Sequence, residues 1–221
     1  MVKKIVEAIK GYRIVDLTEE IKPNILKVNG QYLRGNQIRK FNLRQFINAE
    51  DGTYMNFIEA ESHIGTHVEG PSHLQDNLKP LAEIPLEKFM GEAVVLKFEA
   101  NTSIKPEHLE KVREGDIVLI WSAGEAYITP EAAAFLMKKH IKMLGLQGVR
   151  PEVPGAENRL ATHTLLLKSD IPIIEGLINL DKIEHERVFF FGLPLKIAYL
   201  DSSWIRAIAL EPMSDRSETK L

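Results

Sequence analysis

The sequence predicts an α/β fold, a single domain spanning residues 1–221 with a mixed β-sheet and flanking helices. Three observations carry that prediction. Residues 116–121 (Asp-Ile-Val-Leu-Ile-Trp) form a nearly all-apolar run, the signature of a strand covered on both faces. Thr129-Pro130-Glu131 then supplies an N-cap, a proline at the first helical position and an acid in the first turn. The chain returns as an apolar strand from Ile141 to Leu146, and such a strand–helix–strand unit argues for a parallel pair inside a mixed sheet.

Taken in order, Val2, Ile5, Val6 and Ile9 stand at helical spacing and predict a short amphipathic helix over 2–10. Tyr12 to Leu17 reads as a strand, followed by a polar, proline-containing loop through Pro23 and Asn29-Gly30. Period-2 patterning over 38–47 and 53–60, on either side of Asp51-Gly52, predicts a hairpin. Residues 81–90 read as loop with a short helical turn and 93–98 as a strand. Residues 105–112 read as a helix opened by Pro106, and the helix from Pro130 runs to about His140. Gln147 to Asn158, with two prolines and two glycines, reads as loop. A helix over 159–169 and strands over 171–175, 188–197 and 206–210 follow, and the polar tail from Ser214 is expected to fray.

Composition narrows the function classes. A 221-residue chain that is 44% hydrophobic can bury one good core, and its net charge of −3 gives no basic footprint for nucleic acid. With no cysteine, disulfides, thiol nucleophiles and thiolate zinc sites are excluded, so a transition metal must be held by N and O ligands. The N-terminus lacks the apolar core of a signal peptide, and no apolar run approaches the ~18 residues of a membrane span. A soluble, cytoplasmic enzyme is the expectation. There is no G-x-S-x-G, P-loop, G-x-G-x-x-G or H-E-x-x-H motif.

One stretch departs from this background. Residues 61–73, Glu-Ser-His-Ile-Gly-Thr-His-Val-Glu-Gly-Pro-Ser-His, hold three of the seven histidines. On a helix His63 and His67 would share a face while Glu69 and His73 pointed nearly the opposite way. In an extended chain all four lie on one side, but a straight strand would keep His63 and His67 about 13 Å apart, too far for one ion. A bend at Gly65-Thr66 and a turn at Gly70-Pro71 resolve this. The stretch reads as a strand running into a kinked loop that gathers imidazoles and a carboxylate, a metal or catalytic site. His163, on a predicted helix, and Glu175, ending an apolar strand where an ionised carboxylate needs a partner, are the downstream candidates. His108, His140 and His185 stand in charged helical contexts and read as solvated. Trp121 and Trp204 read as core or pocket wall.

H-I-G-T-H-V-E-G-P-S-H over 63–73 resembles the H-x-G-T-H-x-D-x-P-x-H signature of the cyclase or metal-dependent hydrolase family that includes bacterial kynurenine formamidase and isatin hydrolase. The likeness extends to Asp16-Leu17-Thr18, Thr129-Pro130-Glu131-Ala132-Ala133, His163 with Glu175-Gly176-Leu177-Ile178-Asn179-Leu180, Pro194-Leu195-Lys196-Ile197 and Arg206-Ala207-Ile208-Ala209. Three features depart from the pattern. Position 69 is Glu where the family usually has Asp. Ile21-Lys22-Pro23-Asn24 replaces a Trp-Pro-Gly-like turn, and Gln147-Gly148-Val149-Arg150-Pro151-Glu152 stands in place of a D-x-x-S-x-D loop.

The resemblance implies a swivelling β/β/α domain in homodimers or homotetramers. It implies metal ligation by His63, His67 and Glu69, with His163 and Glu175 completing the site, and His73 as general acid/base. One or two ions per subunit are expected, zinc first and manganese as the alternative. The expected activity is hydrolysis of an amide-like C–N bond in a formamide or cyclic amide, arylformamidase-like, with metal-activated water as nucleophile. The alternatives are a metal-dependent cyclase, dehydratase or lyase on a carbonyl compound, or an inactive metal-binding homologue.

Overall fold

The apolar run at 117–120 lies at the centre of the molecule. Ile117 and Leu119 enter one hydrophobic cluster and Val118 and Ile120 the other, all four without solvent exposure. This is the period-2 signature of a strand sandwiched on both faces. The computed structural model describes residues 2–23, 25–28, 31–34 and 41–213, with 25–28 and 31–34 as backbone only.

From the N-terminus, helix α1 (Val2–Lys10) leads into β1 (Tyr12–Asp16), the small hairpin β2 (Ile25–Val28) and β3 (Gln31–Arg34), and a longer hairpin, β4 (Phe41–Ile47) and β5 (Tyr54–Ala60). Strands β6 (His67–Glu69), β7 (Met90–Phe98), β8 (Ser103–Ile104) and β9 (Ile117–Ile128) precede α2 (Pro130–Lys138) and β10 (Met143–Arg150). Helix α3 (Ala161–Lys168), β11 (Ile173–Glu175), β12 (Arg187–Phe191), β13 (Ser202–Trp204) and β14 (Ile208–Pro212) complete the chain. Ten strands form one mixed sheet in the order β1-β14-β12-β7-β9-β10-β11-β6-β13, with β8 beside β9. As expected, β9 and β10 pair in parallel through α2, whose N-cap Thr129 accepts a hydrogen bond from the Ala132 N–H at 3.2 Å.

Helices α2 and α3 cover one face through Ala132, Ala133, Leu136, Leu166 and Leu167. Leu81, Ile84 and Phe89, from two 3₁₀ turns, help fill the other. No helix of the described residues is long and apolar enough to cross a membrane. Helix α1 buries none of its residues, and Ile47, Tyr54, Phe57 and Ile58 of the long hairpin are all exposed.

Several boundaries differ from expectation. The helix expected over 105–112 is a single 3₁₀ turn, Pro106–Leu109. Strand β10 runs on into the segment read as loop, because Gly148, at φ +67°, lets a bulge shift its register against β9 and pairing resume at Val149. Strand β12 stops at Phe191, short of the predicted 197, and only Pro194 makes a further bridge. The loop expected after β1 holds the β2–β3 pair. Asn29-Gly30, Asn24, residues 38–40 and the tail from Ser214 lie outside the described residues.

Candidate metal centre

The centre is built on three-residue β6, which lies between β11 and β13. Its alternation sends Val68 into the core and turns His67 and Glu69 to the opposite face. Antiparallel pairing sets Glu175 against His67 on one side and Ser202 against Glu69 on the other. The kink lies where it was expected, between His63 and His67 at Gly65 (φ +56°), and the short strand β6 follows it. A second glycine makes the bend possible: any Cβ on Gly176 (φ +71°) would strike the Gly65 carbonyl. Thr66 fastens the crossing by donating from its hydroxyl to Gly176 O at 2.6 Å. After Gly70 the chain enters a 3₁₀ turn, Pro71–His73, which brings His73 back over Glu69.

All six side chains expected at the site converge. Glu69 is buried at their centre. Its Oε1 lies 2.8 Å from His63 Nδ1, 3.4 Å from His67 Nε2 and 3.9 Å from His73 Nε2. Its Oε2 lies 3.2 Å from His163 Nε2, which is 3.7 Å from Glu175 Oε1. The extra methylene of Glu over Asp does not take the carboxylate out of the cluster. Ligand atoms of His63, Glu69 and His73, and separately of His67, Glu69 and Glu175, lie close enough together to hold an ion. His73 therefore has the geometry of a ligand as well as of a base.

Each imidazole has one nitrogen tied outward and the other aimed at Glu69. His67 Nδ1 donates to Gly65 O at 2.9 Å, and His163 Nδ1 to Glu152 Oε1 at 2.9 Å. His63 Nε2 and His73 Nδ1 meet Asp201 Oδ2 at 2.8 and 3.0 Å. Outer acceptors of this kind fix the tautomer of metal-binding histidines and leave the inner nitrogen's lone pair free. His67 Nε2 and Glu69 Oε2 are buried without a hydrogen-bond partner among the described residues. Leaving such atoms unpaired costs about 1–3 kcal/mol each, and a cation would satisfy both.

The electrostatics agree. Burial works to raise the Glu69 pKa, but the imidazoles of His163, His63 and His67 hold it well below the usual carboxylate range. Burial opposes a proton on His163, yet its hydrogen bond with Glu152, the close approach of Glu69, and the Glu69 and Glu175 charges push its pKa up to about 10. Burial, then the Glu69 charge, raises Glu175. Two carboxylates that penalise each other's ionisation and a histidine drawn to hold a proton are signs of a pocket short of positive charge. A divalent ion with N and O ligands fits it.

Two residues of the site were not singled out from the sequence. Glu152 accepts from the backbone N–H groups of Thr162 and His163 at 3.1 and 2.9 Å, so it caps α3 while orienting His163. It stands at the last position of the six-residue segment laid against D-x-x-S-x-D, so a retained carboxylate was the available signal. Asp201, from the loop before β13, had no comparable signal.

Comparison with known proteins gives a consistent picture. The Cyclase family model, described as "Putative cyclase", matches residues 15–153. A kynurenine formamidase of Bordetella petrii is 28% identical over 168 residues, covering 70% of this chain and 79% of that protein. One of Erythrobacter litoralis is 25% identical over 213 residues, covering 90% and 94%. Isatin hydrolase A from Labrenzia aggregata superposes with a TM-score of 0.76 at 22% identity, covering 96% of this chain and 99% of that one.

Proposed function

The chain belongs to the Cyclase family, and from that premise we propose that it is a metal-dependent hydrolase of an amide-like C–N bond. One observation carries the reading: four imidazoles, each anchored outward, present their remaining nitrogens to one buried carboxylate. His63 Nδ1, His67 Nε2, His163 Nε2, Glu69 and Glu175 would hold one or two divalent ions, zinc first and manganese next. Held there, a divalent ion would supply Lewis-acid polarisation of the amide carbonyl and a water pKa lowered toward ~7.

The chain's own groups do the rest. His73 is half-buried, at 29% side-chain exposure, whereas the side chains of His67 and Glu69 are only 7% and 4% exposed. It therefore faces the open side of the site. With Nδ1–H engaged by Asp201, its Nε2 takes a proton from the attacking water and returns it to the leaving nitrogen, so amide plus water give a carboxylic acid and an amine. A cleft of 790 Å³ runs beside Asp201, lined by Ser72, Leu78, Pro80 and Tyr199 among others, and is large enough for an aryl formamide or a fused cyclic amide. Support for that substrate class comes from the kynurenine formamidase and isatin hydrolase relatives.

The experiment is elemental analysis beside turnover of an N-formyl arylamine and a cyclic amide. Wild type is expected to carry metal and cleave one of them. His67→Ala should lose both properties, while His73→Ala should keep the metal and lose turnover about 10²–10⁴-fold. Equal metal in wild type and His67→Ala would remove the ligand assignment.

We also propose that a second copy of the chain covers the exposed hairpin and α1. A two-stranded hairpin and a nine-residue helix are each marginal in water when nothing packs on them. Light scattering that shows only monomer at micromolar concentration would overturn this.

A further inference from the structure

A single oxygen atom serves two histidines with different jobs. Asp201 Oδ2 lies 2.8 Å from His63 Nε2 and 3.0 Å from His73 Nδ1, and the two rings are 4.5 Å apart, centroid to centroid. From this geometry we infer that Asp201 is a positioning residue that sets the tautomers of a metal ligand and of the proton carrier together. The inference rests on the reading of His63 as ligand and His73 as base.

An ionised carboxylate only accepts hydrogen bonds, so both imidazoles must turn an N–H toward it. That turns His63 Nδ1 to Glu69, with which it makes a 2.8 Å hydrogen bond that an ion would replace, and leaves His73 Nε2, 3.9 Å from Glu69, bare at the open side, where a base needs its lone pair. With the opposite tautomers, His63 would aim a proton at the ion and His73 would have no lone pair for the water. One acceptor excludes both errors.

Asp201 is held for this task. Its carbonyl oxygen accepts from the Gly70 N–H at 2.8 Å, so its backbone is tied to the turn that carries His73. The next residue, Ser202, is fully buried, stands opposite Glu69 in the β13–β6 ladder, and its hydroxyl meets that of Ser62 at 2.6 Å. The carboxylate is therefore anchored to both ends of the 62–73 stretch although it comes from 128 residues further along the chain than His73. Asp201 also lines the 790 Å³ cleft, so its carboxylate joins that cleft to the two imidazoles.

The test uses full-length protein loaded with Zn²⁺, comparing wild type with Asp201→Asn, which keeps the shape, and Asp201→Ala, which removes the acceptor. Three quantities are read: zinc stoichiometry, kcat and KM for formanilide, and the His63 and His73 tautomers from long-range ¹H–¹⁵N spectra. Zinc content should stay at the wild-type level. For Asp201→Asn, kcat should fall about 10–100-fold with KM unchanged, and Asp201→Ala should fall at least as far. His73 should be the Nδ1–H tautomer in wild type and shift toward Nε2–H in Asp201→Ala. An unshifted His73 tautomer or an unchanged kcat in Asp201→Ala overturns the proposal. So does zinc loss as large as in His67→Ala, which would make Asp201 a ligand. If wild type leaves formanilide and a cyclic amide intact, the hydrolase reading fails, while the tautomer spectra still decide the role of Asp201.

Discussion

Two buried glutamates in this molecule stand among imidazole and other polar groups, and they are satisfied in opposite ways. Glu211, on β14, has no exposed surface. Its Oε1 accepts from the backbone N–H groups of Glu184 and His185 and meets His185 Nδ1 at 3.0 Å, while its Oε2 pairs with Arg13. Every oxygen is served from within the chain, and a positive guanidinium is supplied. Glu69 is nearly as buried, yet among the described residues no Lys or Arg reaches it and one of its oxygens has no hydrogen-bond partner, while four imidazole nitrogens face it. A buried carboxylate completed by its own chain holds the fold together. One that is left incomplete, with four imidazole nitrogens aimed inward at it, is arranged for a cation.

The sharpest way to break this contrast is to neutralise each carboxylate in turn. Glu69→Gln removes the proposed shared ligand, and turnover should fall by more than about 10³-fold with metal lost, as when a catalytic ion's charge is withdrawn from the transition state. Glu211→Gln should bind metal normally and retain turnover at temperatures where it is folded. If the two variants lost the same activity, the division into structural and functional carboxylates would collapse.

The sequence made one of the two regions much more legible than the other. Three histidines and a carboxylate inside thirteen residues, punctuated by Gly65 and Gly70-Pro71, declared the centre because these candidate ligands are local and the bend has its own residue chemistry. The parallel β9–β10 pair was legible for a similar reason, since a cap, a proline and two apolar runs each leave a local mark. Asp201 and Glu211 are invisible in the same terms, because the partners of Asp201 lie 128 and 138 residues away and those of Glu211 26, 27 and 198, and a lone acid in a polar stretch looks like any solvated side chain. Short strands failed for a related reason. β13 and β8, with three and two residues, are too short for period 2 to register, and only their places in the sheet make them strands. The helix expected from Pro106 had a good start signal but closes as one 3₁₀ turn at Leu109, although Val112 beyond it is still buried in the core.

A smaller effect sharpens the boundary between the two regions. Glu152 touches the centre only through His163 and also caps α3, so it shares the character of both glutamates. Glu152→Ala should weaken metal affinity about 10–100-fold, the usual cost of losing a ligand's outer partner. It should also lower thermal stability, because two helix N–H groups lose their acceptor. Titration with Zn²⁺ and a melting curve of the metal-free protein separate these losses. Unchanged zinc affinity with reduced stability would place Glu152 with Glu211, as part of the scaffold alone.

The smallest effect concerns acid stability, and its sign follows from how Glu211 is completed. Burial works to raise its pKa, but the His185 and Glu184 N–H groups, the His185 ring and Arg13 outweigh it and hold the pKa below the ordinary value of 4.5. A depressed folded-state pKa means the unfolded chain binds more protons at mildly acid pH. The stabilisation from Glu211 is therefore fully present above about pH 4.5, the unfolded value, and is lost as pH falls through the lower folded value. Glu211→Gln should cost about 1–3 kcal/mol near neutrality, where a buried hydrogen-bonded charge is replaced by an amide that cannot serve every donor. Below pH 4 the gap from wild type should narrow. Urea unfolding at pH 7 and again at pH 3.5, with metal removed from both proteins so that the other glutamate does not contribute through its ion, reads the difference directly. A gap that widened toward low pH would mean that Glu211 is carried protonated in the folded state, and the contrast with Glu69 would then rest on solvation rather than on charge.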